Sequence, residues 1–442
     1  MPSIDKPTLL VIVGISGDLS QRMLLPALDK IAESGVLPKQ FRVVGITRRP
    51  LELSDVLPAG CSEWLSSNTD LLQLDLGNSA DYQKLQDHLQ KIEADFDQSA
   101  QRLFYLSVPP EVSSPIIAKL GESGLASAPD TKLLLEKPFG VDLRSAEELV
   151  AHIHEHFDET QIYRIDHFLA KEMAQNLVVF RAANSLFRRT WNHDFIESIT
   201  ITTSEHIGIE GRANFYEQTG ALRDLIQSHL LQLAALTLME LPVLEKPEEL
   251  PAHRLDALRT LSLADSPEAS SYRAQYDSYR HEADNPESTI ETMARLTLLS
   301  SSERWENVPV TIETGKGLAA TYNEIRIHYR QDHAREANEL VLRIQPDEGI
   351  RLALWVKRPG YDRSFEECQL SFSYSEHFDM HLPKAYERVF VDAMRGDHSL
   401  FATSDEVLES WRIIQPVLDH WQSRGENDLA SYAVGSDIRE LQ

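Results

Sequence analysis

Cysteine is nearly missing from this chain. The 442 residues hold only Cys61 and Cys368, too few for a disulfide scaffold and at no spacing that suits a metal, so no metal site is expected. The pair fits a reducing cytoplasm. Long apolar runs are missing too: none approaches the length of a membrane span, and Met1 to Pro7 lacks the basic-then-apolar pattern of a signal peptide. Basic charge is in deficit. Forty-three Lys and Arg face 69 Asp and Glu, a net charge of −26, which repels polyanions and excludes the footprint of a nucleic-acid or anionic-membrane binder. An anionic small ligand therefore needs a local basic island. Apolar side chains, at 42% of the sequence, are enough to build two or three globular units.

The first part alternates apolar runs with amphipathic ones. Thr8 to Val13, Phe41 to Ile46, Leu71 to Leu76, Arg102 to Val108 and Lys132 to Leu135 read as strands. Helical patterns at Leu19 to Ser34, Asp81 to Phe96, Ser114 to Glu122 and Leu143 to Phe157 separate or follow them, the last with Asp142 as N-cap. That alternation predicts a parallel, doubly wound sheet. Beyond an apolar helix near Glu172 to Asn184, period-two strands take over: Glu197 to Thr203, Val308 to Glu313, Glu324 to Tyr329, Glu339 to Ile344, Arg351 to Val356 and Gln369 to Tyr374. They predict a mainly antiparallel sheet covered by helices around Gly220 to Met239 and Lys384 to Met394. The expected fold is an α/β Rossmann-like dinucleotide domain over residues 1–173, followed by an α+β domain over 174–442. The acidic, Ser-rich stretch Ser266 to Glu287 reads as a surface excursion.

Several motifs carry chemistry. Gly14-Ile-Ser-Gly-Asp-Leu19 joins the first strand to the first helix, where dinucleotide phosphates meet free backbone N–H groups. Ile12 stands where the full fingerprint has its first glycine. The second strand ends in Thr47-Arg48-Arg49 instead of an acid, which suits an adenosine 2′-phosphate and favours NADP over NAD. Lys137, in Glu136-Lys-Pro-Phe-Gly140, sits at the carboxyl edge of the fifth strand, and its proline can hold the turn, cis or trans. His229 lies on a largely apolar helix, where desolvation favours the neutral imidazole that a general base requires. Asp166 and Asp224 are both candidates to fix its tautomer. The stretch Arg164 to Lys171, "RIDHFLAK", admits three readings from its residues alone: a catalytic dyad, a phosphate clamp or a polar surface turn.

Together the segments "GISGDLSQR", "GITRR", "LFYLSVPP", "EKPFGVDLRSAEEL", "QIYRIDHFLAKEMAQNL", "SEHIGIEGRANFYEQTGALRDLIQSHLLQ", "ETGKGL" and "VFVDAMRGDHSLF" resemble the glucose-6-phosphate dehydrogenase family in order and spacing, from about residue 8 to about residue 420. The resemblance implies NADP-dependent oxidation of glucose 6-phosphate at the anomeric carbon, opening the oxidative pentose phosphate pathway. It implies His229 as general base, oriented by Asp166. His167 and Lys171 are then expected on the sugar phosphate, Glu205 and Asp224 on the sugar hydroxyls, and Lys137 and Lys316 on the substrate. Gly14, Ser16, Gly17, Asp18, Leu19, Arg48, Tyr105 and Lys137 are expected at the cofactor. A cytoplasmic homodimer, or a dimer of dimers, built through the large sheet is also implied.

The sequence departs from the family pattern at three places. Thr321 stands where a second basic residue is usual, Glu313 replaces an arginine before Lys316, and Ala170 replaces a glycine. One lost phosphate cation and one added acid predict weaker phosphate binding by about 1–3 kcal/mol. They also motivate an alternative, the same chemistry on another aldose or aldose phosphate. A catalytically silent NADP-sensing protein is a further alternative, opposed by the retained acid–base and phosphate-binding residues. The glucose–fructose oxidoreductase-like proteins share the Glu-Lys-Pro turn, but lack the Asp-His and Gly-Ala-Leu-Arg-Asp pattern.

Overall fold

The computed structural model describes residues 4–128, 130–243, 246–331, 337–379 and 382–441. They form two compact units, Met1–Ala170 with Pro383–Val407, and Lys171–Leu382 with Leu408–Gln442.

The first unit is a doubly wound sheet. Its strands β1 (Thr8–Val13), β2 (Phe41–Thr47), β3 (Thr69–Gln73), β4 (Gln101–Leu106), β5 (Thr131–Leu135) and β6 (Ile162–Ile165) lie in the order β6-β5-β4-β1-β2-β3, all parallel. β1 is buried at every position because helices cover both faces, which is why it reads as an unbroken apolar run. Order reverses between β1 and β4, and the crevice at their carboxyl ends is where such sheets take ligands. The N-cap at Asp142 forms as expected, its carboxylate accepting from the Ser145 N–H at 2.8 Å.

The expected first helix begins as a π-helical turn, Ser20–Leu24, before becoming α-helical over Leu25–Glu33. Pro26 lacks the N–H that an α-helix would direct at the Arg22 carbonyl, and the widened turn precedes it.

Two expectations about residues 174–442 need correction. The helix Ala385–Arg395 does not cover the antiparallel sheet. Its Tyr386, Val389, Phe390, Ala393 and Met394 pack into the first unit's core beside Leu10, Ile12 and Tyr105. Its carbonyl end is held there too, with Lys132 Nζ donating to Ala393 O at 2.6 Å and Gln101 Nε2 to Met394 O at 3.0 Å. The short strand Phe401–Ala402 then adds antiparallel to β6. A single cut at 173/174 therefore misassigns 383–407.

The second unit is built on β7 (Ile196–Ser204), β8 (Leu261–Leu263), β9 (Ser271–Tyr276), β10 (Met293–Ser300), β11 (Val310–Gly315), β12 (Tyr322–Tyr329), β13 (Glu339–Gln345), β14 (Gly349–Lys357) and β15 (Phe365–Ser373). They run β15-β14-β13-β12-β7-β11-β10-β9, ending on Leu429–Tyr432, with β8 paired to β10. Neighbours are antiparallel except β7 with β11 and β9 with Leu429–Tyr432. The second correction falls on Ser266 to Glu287. This stretch contains β9, with Ala274 and Tyr279 fully buried and Arg273 4% exposed. The Arg273 guanidinium donates to the Trp421 carbonyl at 3.3 Å and also to the Gly425 carbonyl, so burial of a polar residue is compensated.

Candidate functional site

At the crevice between β1 and β4 the backbone is drawn tight. Gly14 has φ +88°, and a Cβ there would fall 2.4 Å from the Ser107 carbonyl oxygen, so only glycine fits. The Gly17 N–H donates to Gly14 O at 2.9 Å. Ser20 Oγ donates to Gly14 O at 3.0 Å and lies 3.0 Å from Ser107 Oγ, whose own hydroxyl can donate back to it, tying the turn to the end of β4. Ser16 and Asp18 are exposed along this turn, Asp18 pairing with Arg22 at 2.7 Å, while Leu19 packs on the core. Close backbone approach at a strand-to-helix turn fits the pyrophosphate of a dinucleotide. Arg48 and Arg49 follow β2 and are exposed, with no side-chain ion-pair partner among the described residues.

The end of β5 carries a partly buried acid, Glu136. Glu136 accepts from the hydroxyls of both Tyr105 and Tyr386, and burial raises its carboxyl above the usual range, partly offset by those tyrosines and by Lys137. Burial also pushes the Tyr105 phenol up. Tyr105 is fully enclosed in the core with its hydroxyl on Glu136. It is the residue that the family resemblance sets at the cofactor. The Lys137–Pro138 bond is cis. Beside it a small, partly open cleft is lined by Leu106, Val108, Glu136, Pro138 and Phe139, among others. Asp166, 4% exposed, follows β6 and accepts from the Phe168 N–H at 2.9 Å, and its charge is felt at Glu136. His167 is half-buried, its ring 5.1 Å from that of Phe168.

In the second unit, His229 is 1% exposed on a π-helical segment, Leu222–Leu230, a form often found at functional sites. Glu291, 69 residues away, caps its start: Oε1 accepts from the Leu222 N–H at 2.9 Å, and the Glu291 carbonyl accepts from Ala221 at 3.0 Å. Gly220 bends the chain into this cap with φ 64° and ψ 177°. Burial raises the Glu291 carboxyl, while the capping N–H, Arg223 and Arg273 draw it down. Asp224, on the same segment, acts with burial and Glu291 to hold the Tyr216 phenol neutral.

The expected sugar-phosphate cations are enclosed. Lys316, 3% exposed, pairs with Glu205 and lies 5.3 Å over the Tyr216 ring. Lys171, 9% exposed, donates to the Gln345 amide oxygen at 2.7 Å. Buried ammonium groups are costly without partners, which is why each has a polar neighbour in the fold. Glu313, feared as a repulsive acid, is engaged elsewhere. Arg295 Nε donates to it at 2.8 Å and Thr202 Oγ1 at 2.9 Å, so its charge is already balanced. Thr321 accepts the His206 N–H at 2.9 Å, a structural use of the position.

Of the expected residues, the first unit holds the glycine turn, Arg48, Tyr105, Lys137, Asp166 and His167. The second holds Lys171, Glu205, Asp224, His229 and Lys316. Glu136, Glu291, Gln345 and Tyr216 were not anticipated. Their partners are distant in sequence; Glu136 and Tyr216 lie inside motifs of the family resemblance, whereas Glu291 and Gln345 lie outside them.

Comparison with known proteins is in accord along the chain. Residues 11–176 match the glucose-6-phosphate dehydrogenase NAD-binding domain, and residues 178–440 match the C-terminal domain of the same enzyme. The chain is 34% identical to glucose-6-phosphate 1-dehydrogenase 2 of Mycobacterium tuberculosis, over 99% of this chain and 92% of that one. It is 36% identical to glucose-6-phosphate 1-dehydrogenase of Aggregatibacter actinomycetemcomitans, over 97% and 93%. A solved glucose-6-phosphate dehydrogenase in complex with its substrate glucose-6-phosphate superposes with a TM-score of 0.93 at 30% identity, covering 100% of this chain and 97% of that one. A nicotinamide dinucleotide is the cofactor for which the first unit is built. With both domain models matched in sequence order, the chain belongs to the glucose-6-phosphate dehydrogenase family.

Proposed function

We propose that this protein oxidises glucose 6-phosphate at C1, using NADP in preference to NAD, and releases the 6-phosphogluconolactone. The observation that carries the substrate is the pair of enclosed ammonium groups, Lys171 and Lys316, in a chain of net charge −26, in the unit that also encloses His229. A phosphate dianion needs such a basic island, and charge-assisted bonds in a partly desolvated setting are strong. The NADP preference rests on Arg48 and Arg49.

A nicotinamide dinucleotide held at the Gly14–Leu19 turn would supply the acceptor for the C1 hydride. His229 removes the proton from the C1 hydroxyl, and the C1–O1 bond becomes the lactone carbonyl. Neutral imidazole suits this step. We assign Asp166 to orient and stabilise the His229 imidazolium, His167 and Lys171 to the phosphate, Lys316 and Lys137 to substrate positioning, and Glu205 and Asp224 to the sugar hydroxyls. Tyr105 serves by holding Glu136 beside Lys137. The family reading extends to the oxidative pentose phosphate pathway, a cytoplasmic setting, and a homodimer or dimer of dimers through the large sheet. On that sheet Leu370 and Phe365 of β15 are 61% and 44% exposed. Sedimentation measures the assembly.

Steady-state NADP reduction tests the function. Glucose 6-phosphate should give the highest kcat/KM in a panel of free and phosphorylated aldoses, and His229→Ala should lose nearly all turnover. Undiminished turnover in that variant sinks the mechanism; a better substrate in the panel renames the enzyme.

A further inference from the structure

The helix Leu143–His154 and the residues just after it read His152-Ile-His-Glu-His156. Spacings of three and four residues set His152, Glu155 and His156 on one face of the closing turn. Their ligand-type atoms all lie within 4.8 Å of one another, with His152 Nδ1 3.8 Å from Glu155 Oε2. Ligands about 2.0–2.1 Å from a tetrahedral ion stand roughly 3.4 Å apart. Small side-chain rotations therefore close this set around one ion.

The surroundings support the same use. His152 Nε2 lies 3.0 Å from the Ser114 carbonyl, which can only accept. In the neutral imidazole the proton is then on Nε2, and Nδ1 presents its lone pair towards Glu155. A backbone carbonyl fixing the tautomer of a ligating histidine is the usual outer-shell arrangement. The His156 ring is seated against Gly121, where a Cβ would fall 2.4 Å from Nδ1. Both imidazoles are half-buried and Glu155 is exposed, so an ion can enter from solvent. A helix carboxyl end favours positive charge. His154 on the same turn is directed elsewhere, its Nε2 2.9 Å from Ser404 Oγ and 3.2 Å from Glu159.

We infer that His152, Glu155 and His156 bind a divalent transition ion of the Zn²⁺ class, with water completing its shell. Two imidazoles and one carboxylate select zinc over the hard, oxygen-seeking Mg²⁺ and Ca²⁺. The site belongs to the dinucleotide unit and uses none of the residues assigned to the reaction. Expectations built on cysteine could not reveal it, since it contains none.

Calorimetric titration of untagged, chelator-stripped, full-length protein with Zn²⁺, and separately with Mg²⁺, is the test. One saturable Zn²⁺ per chain and no Mg²⁺ heat are expected. His152→Ala and His156→Ala should each weaken Zn²⁺ binding by more than the about 10–100-fold that loss of an outer-shell partner costs, while His154→Ala leaves it unchanged. No saturable Zn²⁺ binding overturns the inference. So does equal Mg²⁺ affinity, or full Zn²⁺ affinity in His152→Gln/His156→Gln. If the alanine variants do not fold, Cu²⁺ paramagnetic resonance on the wild type decides: coupling to two imidazole nitrogens supports the site, and any other count overturns it.

Discussion

Gly220→Ala should damage the enzyme through the helix that carries His229. The position has φ 64° and ψ 177°, a region essentially confined to glycine, and a side chain held there costs about 1–3 kcal/mol. A Cβ would also fall 2.3 Å from Glu291 Oε1, too close for any relaxed contact. The carboxylate must then retreat, and the Leu222 N–H loses its acceptor inside the protein, for a further ~1–3 kcal/mol. The combined loss is about 2–6 kcal/mol, and the start of the His229 segment shifts with it. Chemical denaturation gives the stability change, and steady-state kinetics gives kcat on the same samples. The two parts separate in a double-mutant cycle. Glu291→Gly removes the obstacle as well as the cap, so adding Gly220→Ala to it should cost only the backbone part. Equal costs of Gly220→Ala with and without Glu291 refute the argument, as does a cost below about 1 kcal/mol in the otherwise native chain.

Three further outcomes are expected. Arg48→Ala should raise KM for NADP by roughly 10- to 100-fold, from the loss of a charge-assisted bond worth about 1.5–3 kcal/mol, and leave NAD kinetics nearly unchanged. Parallel changes for the two dinucleotides refute the 2′-phosphate assignment. Lys316→Met should raise KM for glucose 6-phosphate by at least about tenfold, with free glucose kinetics less affected; an unchanged KM removes Lys316 from the substrate. Asp392 supplies a pH test. It is 1% exposed beside Arg388, and burial pushes its carboxyl from 3.8 up to about 6. Native protein then holds a proton that the unfolded chain has released, so this contribution to stability is present below pH 4 and lost as pH rises towards 6, by about 3 kcal/mol in all. Asp392→Asn should flatten the denaturation midpoint across that window; an unaltered slope places the titration elsewhere.

What was legible in the sequence follows from the range of the forces involved. β1 and β13 were visible with their boundaries nearly intact, because local apolar patterning mirrors local burial. The glycine turn was visible because a left-handed backbone pressed against a neighbouring strand leaves only one residue type. β6 escaped as an element. Its four residues are too few for a period, and they sit inside a motif that invites a chemical reading. β9 escaped because its sequence is polar, and its burial depends on Trp421 and Gly425, some 150 residues downstream, accepting from Arg273. The Glu291 cap depends in the same way on a partner 69 residues away from Leu222. Nothing in either segment announces the other. The partner of Glu313 was hidden in the same way, since the Arg295 that pairs with it lies on the neighbouring strand.

The return of residues 383–407 to the first core sets the order in which the protein can be completed on the ribosome. A nascent chain that has passed Ala170 has all six parallel strands, yet lacks Tyr386, Val389, Phe390, Met394 and Phe401, which fill one side of that core. The dinucleotide unit must wait, with apolar surface open, while more than two hundred residues of the other unit are synthesised. A premature stop anywhere before Pro383 therefore does not yield a small working nucleotide-binding protein. It leaves an unfinished one, recognisable to chaperones and proteases by the missing helix.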